Sequence, residues 1–204
     1  MSLDDLLFSD GFRWGFFALV IAGAWAGWTR RVRWATNTLR LMGTRLEGAR
    51  VQGSRWSVAY PSLSFRHQGC PVTVSLSEGG GKFPAETRFE VTLPRPLPFR
   101  LQLWREGPLE KLGKATGVQD LTVGDPAFDR AFLVRGDDPG AARGLLGDEL
   151  RRALVWFRKL QPWLTVRGRQ VEVKIHALPD DRGEFERFFA LGRLAADAAL
   201  DALG

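Results

Sequence analysis

Asp125, Asp129, Asp137 and Asp138 form the densest acidic group in the chain. Carboxylates gathered in this way can hold calcium or magnesium, which take oxygen ligands. Their spacing fits no known metal loop, however, and the segment is built of turns around Gly124, Pro126, Gly136 and Pro139. A short carboxylate in such a place bonds local backbone amides, so capping and turn formation are the expected roles. His67 and Cys70, in His67-Gln-Gly-Cys70, could supply two metal ligands or a nucleophile and its base. His176 is the only other imidazole and Cys70 the only thiol, whereas a zinc site needs three or four protein ligands. The His67–Cys70 stretch therefore reads as a turn.

The remaining motifs with chemical potential have structural readings too. No GxSxG, HExxH, P-loop or dinucleotide fingerprint occurs. Gly79-Gly-Gly-Lys82 lacks the P-loop's upstream glycine and the Ser or Thr after its lysine, and reads as a hairpin loop. Pro94-Arg-Pro-Leu-Pro98 could be a polyproline ligand, but it lies between two alternating segments and suits a stiff connector. Arg55, Trp56, Tyr60, Phe65 and Arg66 imitate a single-strand nucleic-acid surface, yet the aromatics alternate as core residues do. The sequence thus points to no enzyme, no catalytic, cofactor-binding or metal residue, no cofactor and no nucleic-acid partner.

The elements that carry these residues are legible from periodicity. Trp56, Val58 and Tyr60, then Val72, Val74 and Leu76, then Phe89, Val91 and Leu93, then Phe99, Leu101 and Leu103 alternate with polar residues, the pattern of half-buried strands. A short strand follows through Phe132 and Val134. Asp138 before Pro139 opens a helix with apolar face Leu145, Leu146, Leu150, Leu154 and Phe157, stopped by Pro162. A hairpin carries Val171, Val173 and Ile175, and a last helix presents Phe185, Phe188, Phe189, Leu194, Ala195 and Ala198. Residues 48–204 are therefore expected to form one α+β domain, an antiparallel meander-like sheet packed with two amphipathic helices. A single cysteine excludes an intrachain disulfide.

Gly124-Asp-Pro-x-Phe-Asp129-x-x-Phe132 and Gly136-Asp-Asp-Pro139, followed by Leu145-Leu-x-x-Glu-Leu150, resemble a pattern of uncharacterised bacterial membrane-anchored proteins. The resemblance covers about the last third of the chain. It implies a fold and a bacterial origin, and it brings no activity with it.

At the N-terminus, residues 12–28 are apolar except for Arg13 and read as a transmembrane helix between boundary tryptophans Trp14 and Trp28. Residues 1–11 would then form a short extracytoplasmic tail and residues 29–47 a basic amphipathic juxtamembrane helix. The small residues around Ala22 to Ala26 could imitate a signal-peptide cleavage site, but the charge order is wrong for one: Asp4, Asp5 and Asp10 precede the apolar run and arginines follow it. The formal charge of +6 is concentrated behind the run, where Arg30, Arg31 and Arg33 stand with Trp34 as expected interface residues. Basic flanks stay inside, so the expected placement is a single pass through the bacterial inner membrane with a cytoplasmic C-terminal domain. Gly15, Gly23 and Gly27 with Ala18, Ala22 and Ala26 form small-residue stripes, including a GxxxG, along which another helix could pack.

These readings converge on a non-catalytic accessory or scaffolding subunit of a larger membrane protein complex, with a respiratory or photosynthetic complex as one host. Its partners would be other membrane subunits and anionic lipids. The alternative is a free-standing lipid-interacting or signalling module anchored at the inner membrane.

Overall fold

A computed structural model describes residues 10–53, 60–77, 79, 85–105 and 121–204. The chain is α+β and its centre is an eight-stranded antiparallel sheet. In chain order the elements are α1 (Asp10–Gly43), β1 (Arg50–Gln52), β2 (Ser62–His67), β3 (Cys70–Ser77), β4 (Glu86–Thr92), β5 (Leu101–Arg105), α2 (Pro126–Ala131), β6 (Phe132–Gly136), α3 (Pro139–Leu145), α4 (Asp148–Trp156), a 3-10 turn (Phe157–Leu160), β7 (Trp163–Arg167), β8 (Gln170–Ile175) and α5 (Arg182–Asp201). The expected strand through Trp56 and Val58 and the glycine run at Gly80 to Lys82 lie outside the described residues.

The sheet departs from a simple meander. Strands β1 to β4 follow one another, but the closing β7–β8 hairpin inserts itself between β4 and β5, giving the order β1-β2-β3-β4-β8-β7-β5-β6. Strand β4 is thereby paired along its length, from Thr87 opposite Ile175 to Thr92 opposite Gln170. Insertion removes an open edge that a meander ending at β4 would have left to pair with another chain. Residues Pro94 to Pro98 fit the stiff-connector reading, since Leu93 and Leu97 donate backbone hydrogen bonds to Arg169 and Gly168 at the β7–β8 turn.

One face of the sheet holds the core. Phe65, Val72, Val74, Phe89, Val91, Leu101, Leu103, Leu164, Val173 and Ile175 are buried there under α5, α4 and the end of α1. The alternate residues, such as Ser75, Arg88, Lys174 and Trp163, occupy the other face and are half-buried. Turn chemistry fixes this register: Gln68 and Gly69 both have positive φ between paired His67 and Cys70, as a two-residue hairpin with the right twist demands.

Two helical expectations are revised. The helix expected to run from Pro139 to Pro162 is broken at Leu146 and Gly147, so that α3, α4 and the 3-10 turn are separate pieces. Leu145 and Leu146 are both almost wholly buried. A continuous helix would set neighbours about 100° apart around its axis, and the break lets both reach the core.

The second revision is larger. No helix of the described residues is long and apolar enough to cross a membrane, so the transmembrane helix at 12–28 and the single-pass inner-membrane placement built on it are withdrawn. From Trp14 to Trp28 a helix rises only about 22 Å, against a hydrocarbon core of about 30 Å. Arg13 interrupts the run at its start, and Gly15, Gly23, Gly27 and the tryptophans dilute its hydropathy. Instead α1 is one continuous helix of 34 residues. Its second half packs on the domain, burying Val32, Ala35, Thr36 and Leu39 at helical spacing beside β1 and β2.

Candidate functional site at the base of the first helix

The N-terminal half of α1 extends past the packed region with its apolar surface uncovered. Trp14 is 74% exposed, Leu19 72%, Ile21 67% and Trp25 63%, and Phe16, Phe17 and Val20 are exposed as well. These side chains point around the helix axis rather than to one side. Ala18, Ala22 and Ala26 are exposed between them, and a Cβ placed on Gly23 or Gly27 would meet nothing within 4 Å. The small-residue stripes are therefore unpacked among the described residues; Gly15 lies on the same stretch of helix. An apolar surface of this extent marks an interaction site in a folded protein.

Where the helix meets the domain there is a groove of about 390 Å³, lined by Arg30, Arg31, Trp34, Ala35, Tyr60, Leu76, Ala85, Leu178, Pro179 and Asp180. Of the residues expected at a membrane boundary, the fold brings Arg30, Arg31 and Trp34 into this groove and leaves Trp14 on the bare helix. Arg33 is exposed and takes no part in the lining. Without a span, Trp28 is no boundary marker; its ring stands edge-on to Tyr60, with centroids 5.1 Å apart, and locks the helix to the domain. Arg30 makes no ion pair among the described residues. The far wall is held by Asp180, whose backbone N–H donates to Glu184 Oε2 at 2.8 Å on the first turn of α5. Sequence reading found the arginines and Trp34 but missed Tyr60, Leu76 and Leu178 as their companions, because these are joined only through the tertiary fold.

The acidic segment is fully employed in local structure. Asp125 caps α2, accepting from Ala127 and Phe128 at 3.0 and 3.1 Å. The Phe128 N–H above all holds the Asp125 carboxyl below the ordinary aspartate value against desolvation, and the Ala127 N–H and Arg151 add to the effect. Asp129 accepts from Val123 and Gly124, Asp137 from Arg100, and Asp138 caps α3 through Gly140 and Ala141. Among the described residues no group of His, Cys, Asp and Glu could hold a metal ion.

His67 and Cys70 are cross-strand partners in the β2–β3 hairpin, and both are buried. His67 Nε2 lies 2.5 Å from Asp197 Oδ1, and Gln68 Nε2 donates to the same oxygen at 2.9 Å. This contact ties the hairpin to α5 and leaves Cys70 3% exposed, shut away from any substrate. The other imidazole, His176, stands perpendicular to Trp163 on the opposite face of the sheet. Burial and the charge of Lys174 depress its basicity, opposed in part by Glu86. Of the aromatic and basic group around Trp56, Phe65 is stacked in the core on Phe189 and Arg66 bonds its own turn; Arg55 and Trp56 lie outside the described residues.

The open face carries a row of charges and rings. Trp104 stacks on Trp163 at 5.5 Å, Arg135 lies over Trp104 and Lys174 over Trp163. Beside them Arg88 pairs with Glu86 at 2.6 Å and Lys174 reaches Glu86 at 3.5 Å. Burial disfavours the charge on Glu86, but the Arg88 hydrogen bond and the Lys174 charge outweigh it and hold that carboxyl below its ordinary value.

No family model matches the chain, and no curated protein matches it. Its fold is similar to that in the crystal structure of the mycobacterial trehalose monomycolate transport factor A, TtfA, at a TM-score of 0.54 and 12% identity. The similarity covers 84% of this chain and 94% of that one. At this identity the likeness shows a shared fold.

Proposed function

We propose that the chain is a non-catalytic accessory or scaffolding subunit of a larger protein assembly, docked into it through residues 14–27 of α1. The observation that carries this reading is the bare apolar surface of that helix, from Trp14 through Ile21 to Trp25. Because its side chains are apolar all around, a single flat contact would leave half of it in water. A sleeve of partner helices buries the whole circumference, and the open Gly23 and Gly27 positions admit close helix approach.

The test is co-purification of the chain from its native source in mild detergent, beside an Ile21→Glu, Trp25→Glu variant. The parent is expected to migrate with other chains and the variant alone. A parent that migrates at monomer mass removes the reading.

A further inference from the structure

We infer that copies of this chain associate head to tail, a basic stripe on the second half of α1 seating in an acid-rimmed groove of the next copy. The groove, of about 830 Å³, lies between α3, α4 and α5. Its lining holds five carboxylates and no Lys, Arg or His, on a chain whose formal charge is +6. The other lining residues are apolar or glycine, with Leu194 and Ala198 half-buried over the buried Leu145 and Leu150. Three of the carboxylates are engaged: Asp138 caps α3, Asp148 pairs with Arg151, and Asp197 is held by His67 and Gln68. Glu149 from α4 and Asp201 from α5 are exposed and make no hydrogen bond or ion pair among the described residues. These two leave the groove negative around an apolar floor.

The complementary surface is on α1. That helix turns Val32, Ala35, Thr36 and Leu39 into the domain, which leaves Arg33, Asn37, Arg40 and Leu41 exposed on its other side. Steps of three and four residues place these side chains in one stripe. The side chains of Arg33 and Arg40 have no hydrogen bond or ion pair among the described residues, and Leu41 beside them is 54% exposed. Two cations and an apolar knob thus match two anions and an apolar floor. A small cation would meet the carboxylates and leave the floor unused. The stripe and the groove share no residue, so the contact is heterologous and each copy keeps one free half for the next. None of these residues belongs to the bare stretch 14–27, and the contact stands apart from the accessory-subunit reading.

The experiment is sedimentation equilibrium of the full chain carrying Ile21→Glu and Trp25→Glu, which removes association through the bare helix. At about 20 mM salt the mass is expected to exceed the monomer and grow with concentration, and to return to the monomer by about 0.5 M salt. In that background, a groove variant (Glu149→Lys, Asp201→Lys) and a stripe variant (Arg33→Gln, Arg40→Gln) should each self-associate at least about tenfold more weakly. Mixed in equal amounts they should give a one-to-one dimer that grows no further, because one supplies only a stripe and the other only a groove. The stripe variant alters exposed, unpaired side chains and is expected to keep the parent's melting temperature. Three results each overturn the proposal. They are a background chain that stays monomeric up to about 0.5 mM at low salt, undiminished association of the stripe variant, and a mixture that associates no better than its components.

Discussion

Gly192 of α5 lies directly against the ring of Phe89 on β4: a Cβ on Gly192 would sit 2.3 Å from Phe89 Cγ. The ring has nowhere to go. Phe89 is 1% exposed and is boxed in by Phe65 at 6.2 Å and Phe189 at 5.5 Å. Helix α5 therefore approaches the sheet closely at Gly192, a position where it has no side chain. Gly192→Ala is expected to destabilise the chain by about 1–3 kcal/mol, although alanine improves helix propensity by about 1 kcal/mol. Urea unfolding measures the loss. In a Gly192→Ala, Phe89→Leu double variant the smaller side chain yields room, so the two costs should fall short of their sum. Strict additivity would show that the close approach is not what limits the packing.

This contact also marks where sequence reading stops. The alternation of Val72, Val74 and Leu76 and of Val171, Val173 and Ile175 shows which residues face the core, since period two admits only one buried face. Asp138 before Pro139 announces a cap by chemistry that acts over three residues. Gly192, the insertion of β7–β8 between β4 and β5, and the groove joining Arg30 to Leu178 depend on contacts between distant segments, and no local pattern encodes them. The apolar N-terminal run misled for a different reason. An apolar run does not by itself separate a bare helix from a membrane span; the length of the run and its mean hydropathy do.

Asp181 caps the first turn of α5, accepting from Glu184 N–H at 2.8 Å, while the Glu184 side chain reaches back to Asp180 N–H. This reciprocal pairing fixes both the helix start and the far wall of the basic groove. Asp181→Ala is expected to cost about 1 kcal/mol, and Asp181→Asn much less, because asparagine caps nearly as well. Thermal unfolding of the two variants decides it; equal losses would mean that charge, not the capping bond, supports the helix.

Asp197 holds His67 at 2.5 Å and Gln68 at 2.9 Å, fastening the β2–β3 hairpin to α5. Replacing Asp197 by Ala leaves the buried imidazole without that partner, and a loss of about 1–3 kcal/mol follows. Amide exchange should report where the stability goes. Faster exchange confined to residues 62–77 and the second half of α5 is expected, whereas uniform acceleration would assign the contact a global role.

The charged row on the open sheet face gives stability a pH dependence of definite sign. Glu86 ionises more readily in the fold than the ordinary 4.5 of a glutamate, through Arg88 and Lys174 acting against its burial. Unfolding raises its proton affinity, so its contribution is complete above that value and is lost as pH falls through the lower folded one. His176 is also depressed, from an ordinary 6.5, by burial and by Lys174. Its neutral form is favoured in the fold, and that contribution too is complete above 6.5 and declines as pH falls. Stability is therefore expected to drop in two stages on acidification, the first starting below about 6.5 and the second below about 4.5. Urea midpoints measured from pH 8 to pH 3.5 should show His176→Gln losing the first stage and Glu86→Gln the second, each relative to the parent. A parent and His176→Gln variant with parallel curves between pH 7 and 5 would assign the first stage to other groups.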